Sequence, residues 1–231
     1  YISTSNIFSI PLLWTKLRIY VTCVDLCNIK CSDYSTINGD SVIYVKNFDI
    51  SVSGSSHLNL NLIASDVGVT VSDYSDVKLS LQSNSIKMTV SESSKLKLNG
   101  KTVNFVSDIS DYSDVEFKID SNSVKTTVSK SSKLKFDGKT NNFVADVSDY
   151  SNVAFKIDSN FVKVAVFGSS TVKLSGMTDK LEAKVSDYSR LNAYSLTARN
   201  ADVKVNGVSK AKITVTDSLG YEVTGYSDFK Y

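Results

Sequence analysis

Residues 71–77 read Val-Ser-Asp-Tyr-Ser-Asp-Val, and the motif at their centre recurs along most of the chain. The block Ser-Asp-Tyr-Ser occupies residues 32–35, 72–75, 110–113, 148–151 and 186–189, and variants that keep the final serine alternate with it. Eleven blocks in all end at the residues that we call the anchor serines: Ser35, Ser56, Ser75, Ser94, Ser113, Ser132, Ser151, Ser170, Ser189, Ser209 and Ser227. Seven consecutive steps between them are 19 residues long, and a fixed period of this kind indicates a solenoid.

Apolar residues recur at fixed distances from each anchor serine. The position two residues after it, and the positions four and eight residues before it, are apolar in every block. Apolar and polar side chains alternate between them, as in Val77-Lys78-Leu79-Ser80-Leu81, and a period of two predicts strands with one buried face. Turn-like stretches at 82–85 and 137–140 divide the unit into about two strands. The sequence therefore predicts an all-β fold, a single parallel β-helix of about eleven coils with about 19 residues each.

Odd and even blocks differ, so the coil length needs a separate argument. A coil of 38 residues would have a perimeter of roughly 125 Å, too wide for apolar side chains to fill. The residue after the anchor serine runs Asp76, Lys95, Asp114, Lys133. A 19-residue coil places opposite charges on neighbouring rungs, whereas a 38-residue coil would place like charges together. We therefore expect a 19-residue coil.

The two ends of the chain depart from the repeat. Residues 1–31 are predicted to form an N-terminal cap with the first strands, and residues 32–231 to form one continuous repeat domain. Cys27 and Cys31 are predicted to fill the first rung of the core, about 13 Å apart and unable to bond to each other, while Cys23 has no assigned role. Four aromatic residues crowd the last coil and predict an uncapped end or a surface for a homo-oligomer: Tyr221, Tyr226, Phe229 and Tyr231.

Composition excludes several classes of protein. Hydrophobic residues make up 42% of the chain, which argues against disorder, and no apolar run approaches the roughly 18 residues of a membrane span. The net charge of +2 argues against a nucleic-acid partner. The chain starts at Tyr1, so we expect a trimmed or mature fragment whose attachment to a membrane, if any, depends on processing. Three closely spaced cysteines and one distant histidine predict neither a metal site nor a cofactor.

The blocks at 52–56 and 71–77, with the alternating segment 15–22 before them, resemble a bacterial family, the autotransporter adhesin head domain of GIN type. The resemblance covers about residues 15–231, although Asp or Tyr replaces many of the family's glycines. It implies a right-handed parallel β-helix that is secreted or held at the cell envelope, in the periplasm or on the outer surface. It also implies an adhesin-like binding or structural role, and it carries no catalytic residues over to this chain.

The tyrosine before the anchor serine is the clearest candidate for binding. It is present in every second block, and four copies are candidate binding residues for a surface glycan or a protein: Tyr74, Tyr112, Tyr150 and Tyr188. The alternative is that each ring covers the small serine of the neighbouring coil and seals a corner of the solenoid. Both interpretations are open from sequence.

Two further patterns suggest binding of an anionic polysaccharide and of calcium. Lysines recur three residues after the anchor serine and could meet an anionic polysaccharide, or could simply keep the solenoid soluble: Lys78, Lys97, Lys135, Lys173 and Lys212. Calcium at Asp73, Asp76, Asp111 and Asp114 is disfavoured because lysines lie beside them. The alternative function is a carbohydrate-active enzyme, a polysaccharide lyase or hydrolase, but the short turns offer no walls for a cleft. We therefore expect a protein that is not an enzyme.

Overall fold

The computed structural model describes residues 26–231, which form an all-β parallel solenoid of about eleven turns. The strands are β1 (Asn28–Cys31), β2 (Thr36–Tyr44), β3 (Asn47–Val52), β4 (His57–Ile63), β5 (Asp66–Val71), β6 (Asp76–Gln82), β7 (Ser85–Val90), β8 (Lys95–Ile109), β9 (Asp114–Val128), β10 (Lys133–Val147), β11 (Asn152–Val166), β12 (Thr171–Val185), β13 (Arg190–Val205), β14 (Lys210–Val223) and β15 (Asp228–Lys230). Within this part of the chain there is no helix that could span a membrane.

Each strand pairs in parallel with the strand one coil away, and the pairing confirms the 19-residue coil. Lys95 lies between Asp76 and Asp114, which are its partners on the two neighbouring rungs. The offset rises to 21 residues where Asn28 pairs with Asp49, near the start of the described solenoid. None of the ion pairs within 4.0 Å among residues 26–231 joins these facing charges. The backbone ladder and the core therefore fix the register, and the alternating charges are only compatible with it.

The second corner of the coil differs from the sequence prediction. Residues 82–85 do mark a break, because β6 ends at Gln82 and β7 begins at Ser85. The turn predicted at 137–140 is wrong, because these residues lie inside the continuous strand β10. The Thr140 hydroxyl lies 3.0 Å from the carbonyl oxygen of Asn142 and 3.2 Å from that of Asn122. This hydroxyl holds the bend from inside, so the chain turns the corner without leaving the ladder.

The core is a set of columns that run along the solenoid axis, as predicted. The three apolar positions around the anchor serine are buried in the inner coils, and Cys31 is buried at the first rung. Cys27 keeps the expected register, since its carbonyl accepts the Asp49 N–H at 3.1 Å, but its side chain is exposed. The prediction that Cys27 is a core residue is wrong, because it precedes β1 and no described strand covers it. Trp14 and Cys23, with most of the predicted cap, lie outside the described residues.

At the other end the core opens to solvent. Tyr221, Tyr226 and Tyr231 are exposed, and the Tyr221 ring lies 5.4 Å from that of the half-buried Phe229. β15 pairs with only the first three residues of β14. The aromatic cluster therefore covers part of the last rung and leaves the rest of it accessible.

Inside the central coils, a small residue at one inward position is combined with a large residue at another, and the order reverses from one coil to the next. Coils with glycine at the second corner, such as Gly100 and Gly138, carry phenylalanine five residues later. The coil between them carries Ile119 at the same corner and only a valine five residues later. The phenylalanines pack edge to face on the neighbouring coils, with ring centroids 4.9 Å apart for Phe105 and Phe117. Adjacent rungs are therefore complementary, and the interior stays filled along the axis.

This complementarity of side-chain volumes makes Gly138 sensitive to substitution. A Cβ atom at Gly138 would clash with the backbone carbonyl of Ile119, which cannot move without breaking the ladder. We expect Gly138→Ala to lower the free energy of unfolding by about 1–3 kcal/mol, measured by urea denaturation followed by circular dichroism. The matched control is Gly220→Ala, where the nearest atom to the new Cβ lies 3.9 Å away. Equal urea midpoints for the two variants would show that the corner at Gly138 can accommodate a Cβ atom.

Candidate binding surface at the anchor turns

The backbone of the anchor turn takes a left-handed conformation at two consecutive residues. In the tyrosine blocks the φ angles are 55° to 57° at the aspartate and 62° to 67° at the tyrosine. This conformation points the third N–H of the turn along the solenoid axis. Tyr74 N–H donates to the Glu92 carbonyl at 3.0 Å, and Ser93 N–H donates to the Asp111 carbonyl at 2.7 Å. The ladder between coils therefore continues through the turn.

The anchor serine locks the turn from inside. The inner anchor serines, Ser56 to Ser209, are no more than 1% exposed. The N–H of Ser75 donates to the Ser94 hydroxyl at 3.3 Å, and that of Ser113 donates to the Ser132 hydroxyl at 3.3 Å. A buried N–H without an acceptor costs about 1–3 kcal/mol, and these hydroxyls meet that need together with carbonyls of the turn itself, such as that of Ser72, which accepts the Ser75 N–H at 3.3 Å. The anchor serines therefore bond from coil to coil at most of the corners, and they lie too deep to meet a substrate.

The turns align the candidate tyrosines in one exposed column. Tyr74, Tyr112, Tyr150 and Tyr188 are 73%, 72%, 74% and 68% exposed. Because they lie two coils apart on parallel rungs, their backbones are spaced at roughly 9–10 Å. Together with the equally placed outer residues they form the surface that we call the tyrosine ridge: Tyr34, Tyr74, Tyr112, Tyr150, Tyr188 and Tyr226. Shorter side chains separate the rings, for example Ser93 and Ser131.

Packing within the chain gives a poor account of these rings. A ring that sealed the corner would be largely covered, whereas about seven tenths of each candidate side chain lies in solvent. The left-handed conformation costs an ordinary residue roughly 1–2 kcal/mol, and glycine adopts it freely. Five of the six ridge tyrosines carry this cost, Tyr226 being the exception. The backbone therefore tolerates a tyrosine here without drawing much stability from its ring.

Carboxylates border the ridge on one side. The residue before each ridge position forms a column that we call the acidic column: Asp33, Asp73, Glu92, Asp111, Asp149 and Asp187, with Lys130 and glycines at other rungs. The preceding serine donates to the aspartate, as Ser110 does to Asp111 at 2.7 Å. That bond, together with the Lys130 ammonium 3.1 Å away, holds the pKa of Asp111 below its usual value.

Two carboxyl groups of this column, Asp73 and Glu92, lie on neighbouring rungs and shift each other's pKa in opposite directions. A side-chain hydrogen bond with Glu92, and a second one from Ser72, lower the pKa of Asp73. The same hydrogen bond, and the negative charge of Asp73, raise the pKa of Glu92 above the ordinary value for a glutamate. Near neutral pH the middle of the acidic column therefore carries closely spaced like charges, and at lower pH Glu92 becomes the donor to Asp73.

The structure brings together neither a metal site nor a catalytic set around the ridge. Among residues 26–231, no three His, Cys, Asp or Glu side chains are grouped so that they could hold a metal ion. The aspartates considered for calcium, such as Asp76 and Asp114, instead face Lys95 on the rung between them. What the anchor turns offer to a partner is a row of phenol rings beside a row of carboxylates.

Comparison with known proteins agrees with this architecture. The family model described as "Putative auto-transporter adhesin, head GIN domain" matches residues 4–107 and 147–231. The chain belongs to this family. The unmatched residues 108–146 of this GIN domain carry the same repeat and the same strand register, so the solenoid is continuous between the two matched segments. No curated protein or solved structure matches the chain significantly.

Sequence reasoning found the tyrosines and missed their setting. The acidic column went unnoticed because aspartate in a turn block is ordinary, although its exchange with glycine at Gly54 and Gly168 signals the left-handed backbone. A bulge on the adjoining strand face was also missed. Its signal is the 20-residue step between Ser189 and Ser209, where one extra residue, Tyr194, is inserted.

The Asp73–Glu92 pair makes stability depend on pH in a defined direction. A raised pKa in the folded state means that the stabilising contribution of Glu92 is complete at low pH and is lost as the pH rises through that value. We expect Glu92→Gln, which can donate to Asp73 at every pH, to raise the melting temperature more at neutral pH than at acidic pH. The measurement is thermal unfolding at neutral and acidic pH. Glu92→Lys copies Lys130 and should also stabilise at neutral pH. If the difference in melting temperature between wild type and Glu92→Gln does not change with pH, the raised pKa of Glu92 is contradicted.

Proposed function

We propose that this GIN domain is a non-enzymatic binding module of a secreted or cell-envelope protein, and that the tyrosine ridge binds an uncharged surface glycan. The observation that carries the proposal is the exposure of regularly spaced rings on left-handed turns, where the alternate coils carry serine in the same conformation. Strain that is not offset by packing is commonly kept at binding and catalytic sites.

The chemistry of the ridge fits an extended sugar chain. The flat apolar face of a pyranose can pack against the exposed apolar face of a tyrosine ring, which is amphipathic. The ridge repeats the contact every second coil, so a polymer gains affinity from several weak contacts at once. Hydroxyl groups of the sugar can donate to the acidic column, whereas an anionic sugar would be repelled by it.

The same carboxylates do not suit glycoside hydrolysis. A glycosidase places its two carboxyl groups about 5 Å or more apart, on either side of the bond that is cleaved. Asp73 and Glu92 hydrogen-bond directly to each other, so no substrate fits between them. They also lie on an exposed four-residue turn and not at the base of a cleft.

The test is a panel of intact cell-surface polysaccharides, immobilised on an array and probed with the labelled protein. We expect wild type to bind at least one uncharged polymer. Replacing Tyr74, Tyr112, Tyr150 and Tyr188 together by asparagine, which tolerates the left-handed backbone, should abolish the signal without lowering the melting temperature. The control is Tyr44→Asn, since Tyr44 is as exposed as the ridge tyrosines and lies on β2, away from the ridge.

Chain length of the bound polymer is measured in parallel by size-exclusion chromatography. Unchanged length supports a binding module, and shortening by wild-type protein overturns it in favour of an enzyme. The glycan assignment fails if no polymer on the panel is bound, or if Tyr44→Asn loses as much signal as the ridge variant. A large loss of stability in the ridge variant would show instead that the rings stabilise the fold by packing.

A further inference from the structure

The strand face that follows the anchor turn carries one column of mostly charged side chains. Three residues after the anchor serine the chain presents, from coil to coil, Lys78, Lys97, Glu116, Lys135, Ala154, Lys173, Asn192 and Lys212. Ala154 is the one member of this column without a polar side chain. Because the rungs are in register, Lys135 and Lys173 lie directly on either side of Ala154. The missing side chain leaves a depression between two lysines.

That depression is a groove of about 390 Å³ whose charge is not balanced. Three lysines line it, Lys135, Lys156 and Lys173, and no carboxylate is among its lining residues. Lys156 is paired with Asp137 at 3.1 Å. Lys135 and Lys173 take part in no ion pair within 4.0 Å in the part of the chain that the structure describes. Two ammonium groups are therefore available to an incoming anion.

The residues beside the groove on this face include carboxylates that pair with lysines. Glu116, in the same column, lies 3.5 Å from Lys97 and 3.7 Å from Lys118. A second groove of about 380 Å³ on the same face is lined by equal numbers of lysines and aspartates: Lys118, Lys139, Lys156, Asp120, Asp137 and Asp158. The groove over Ala154 differs from this second groove in its excess of positive charge, which does not follow from the small net charge of the protein.

The end of the groove adds groups that suit a sugar. Asn192 and Ser195 line it. Tyr194, the extra residue of β13 relative to β12, lies between them in the sequence. Tyr194 is 71% exposed, and its carbonyl accepts a hydrogen bond from the Thr214 hydroxyl at 2.9 Å, which ties the bulge to the next coil. β-bulges of this kind re-aim a side chain at a site. The groove therefore combines ammonium groups, an amide and a hydroxyl, and the exposed Tyr194 lies in the sequence between the two residues that supply the amide and that hydroxyl.

We propose that the groove over Ala154 binds an anionic sugar unit of an acidic polysaccharide. The acid group lies between the ammonium groups of Lys135 and Lys173, and Asn192 and Ser195 bond to hydroxyl groups of the sugar. Tyr194 provides a surface for the sugar ring at the rim. The site lies on the strand face, apart from the tyrosine ridge, and does not depend on the function proposed for the ridge.

The test compares polygalacturonate, dextran sulfate and uncharged dextran by isothermal titration calorimetry with the full chain. We expect wild type to bind one or both acidic polymers and not dextran, with affinity that falls as salt is added. The stronger of the two acidic polymers identifies the acid group as carboxylate or sulfate. Ala154→Glu inserts a carboxylate between the lysines, as Glu116 already sits beside Lys97, and should weaken binding at least about tenfold.

The controls separate this site from general charge and from folding. Lys118→Gln changes the net charge by the same amount as Ala154→Glu but alters the balanced groove, so its affinity should stay within about threefold of wild type. Ala154→Ser keeps the groove open and should bind as wild type does. Equal losses in Ala154→Glu and Lys118→Gln would overturn the proposal, and so would binding of the acidic polymers that Ala154→Glu leaves unchanged. Any dextran that the ridge binds is bound equally by every variant, because all of them keep the ridge tyrosines.

Discussion

The structure depends on how the chain turns at the anchor serine. Two left-handed residues direct one N–H along the axis to the next coil, and the following serine N–H meets a buried hydroxyl of that coil. Each turn thus receives part of its hydrogen bonding from its neighbour, in addition to bonds inside the turn such as that from the Ser75 N–H to the Ser72 carbonyl. This mutual dependence explains why stacking is obligatory and why the serine recurs in every block. Backbone polar groups at the corner are satisfied without water, which a packed solenoid requires.

The same turn separates the residues that hold the fold from those that are free to vary. Inward positions fill the interior together: in the coils of Gly100 and Gly138, for example, the corner glycine is matched by a phenylalanine five residues on. Outward positions face solvent on a rigid frame of evenly spaced rungs. A side chain placed outward in several coils becomes a linear array, such as the tyrosine ridge, and a single departure such as Ala154 becomes a local site. Repetition therefore produces extended surfaces, and irregularity produces distinct ones.

The period, the parallel stacking and the core columns were predictable because each follows from the spacing of apolar residues. The continuous strand through Asp137 and Gly138 was not, because turn-forming composition also fits a bent strand when a buried hydroxyl such as that of Thr140 holds the bend. Exposure of Cys27 depends on which strands cover it, which local pattern does not encode. Similarly, the sequence marks Tyr112 as special without telling whether its ring is covered. The groove over Ala154 required the register, since it arises from residues 19 positions apart.

Amide hydrogen exchange, followed by NMR in the folded protein, tests the role of the anchor serines most directly. If the hydroxyl of the next coil accepts each serine N–H inside the corner, the amides of Ser75, Ser113 and Ser170 exchange as slowly as those of buried strand residues such as Val128. Exchange of these three amides at the rate of an exposed turn would mean that water satisfies them. The account of the corner, and of the surfaces that it aligns, would then be wrong.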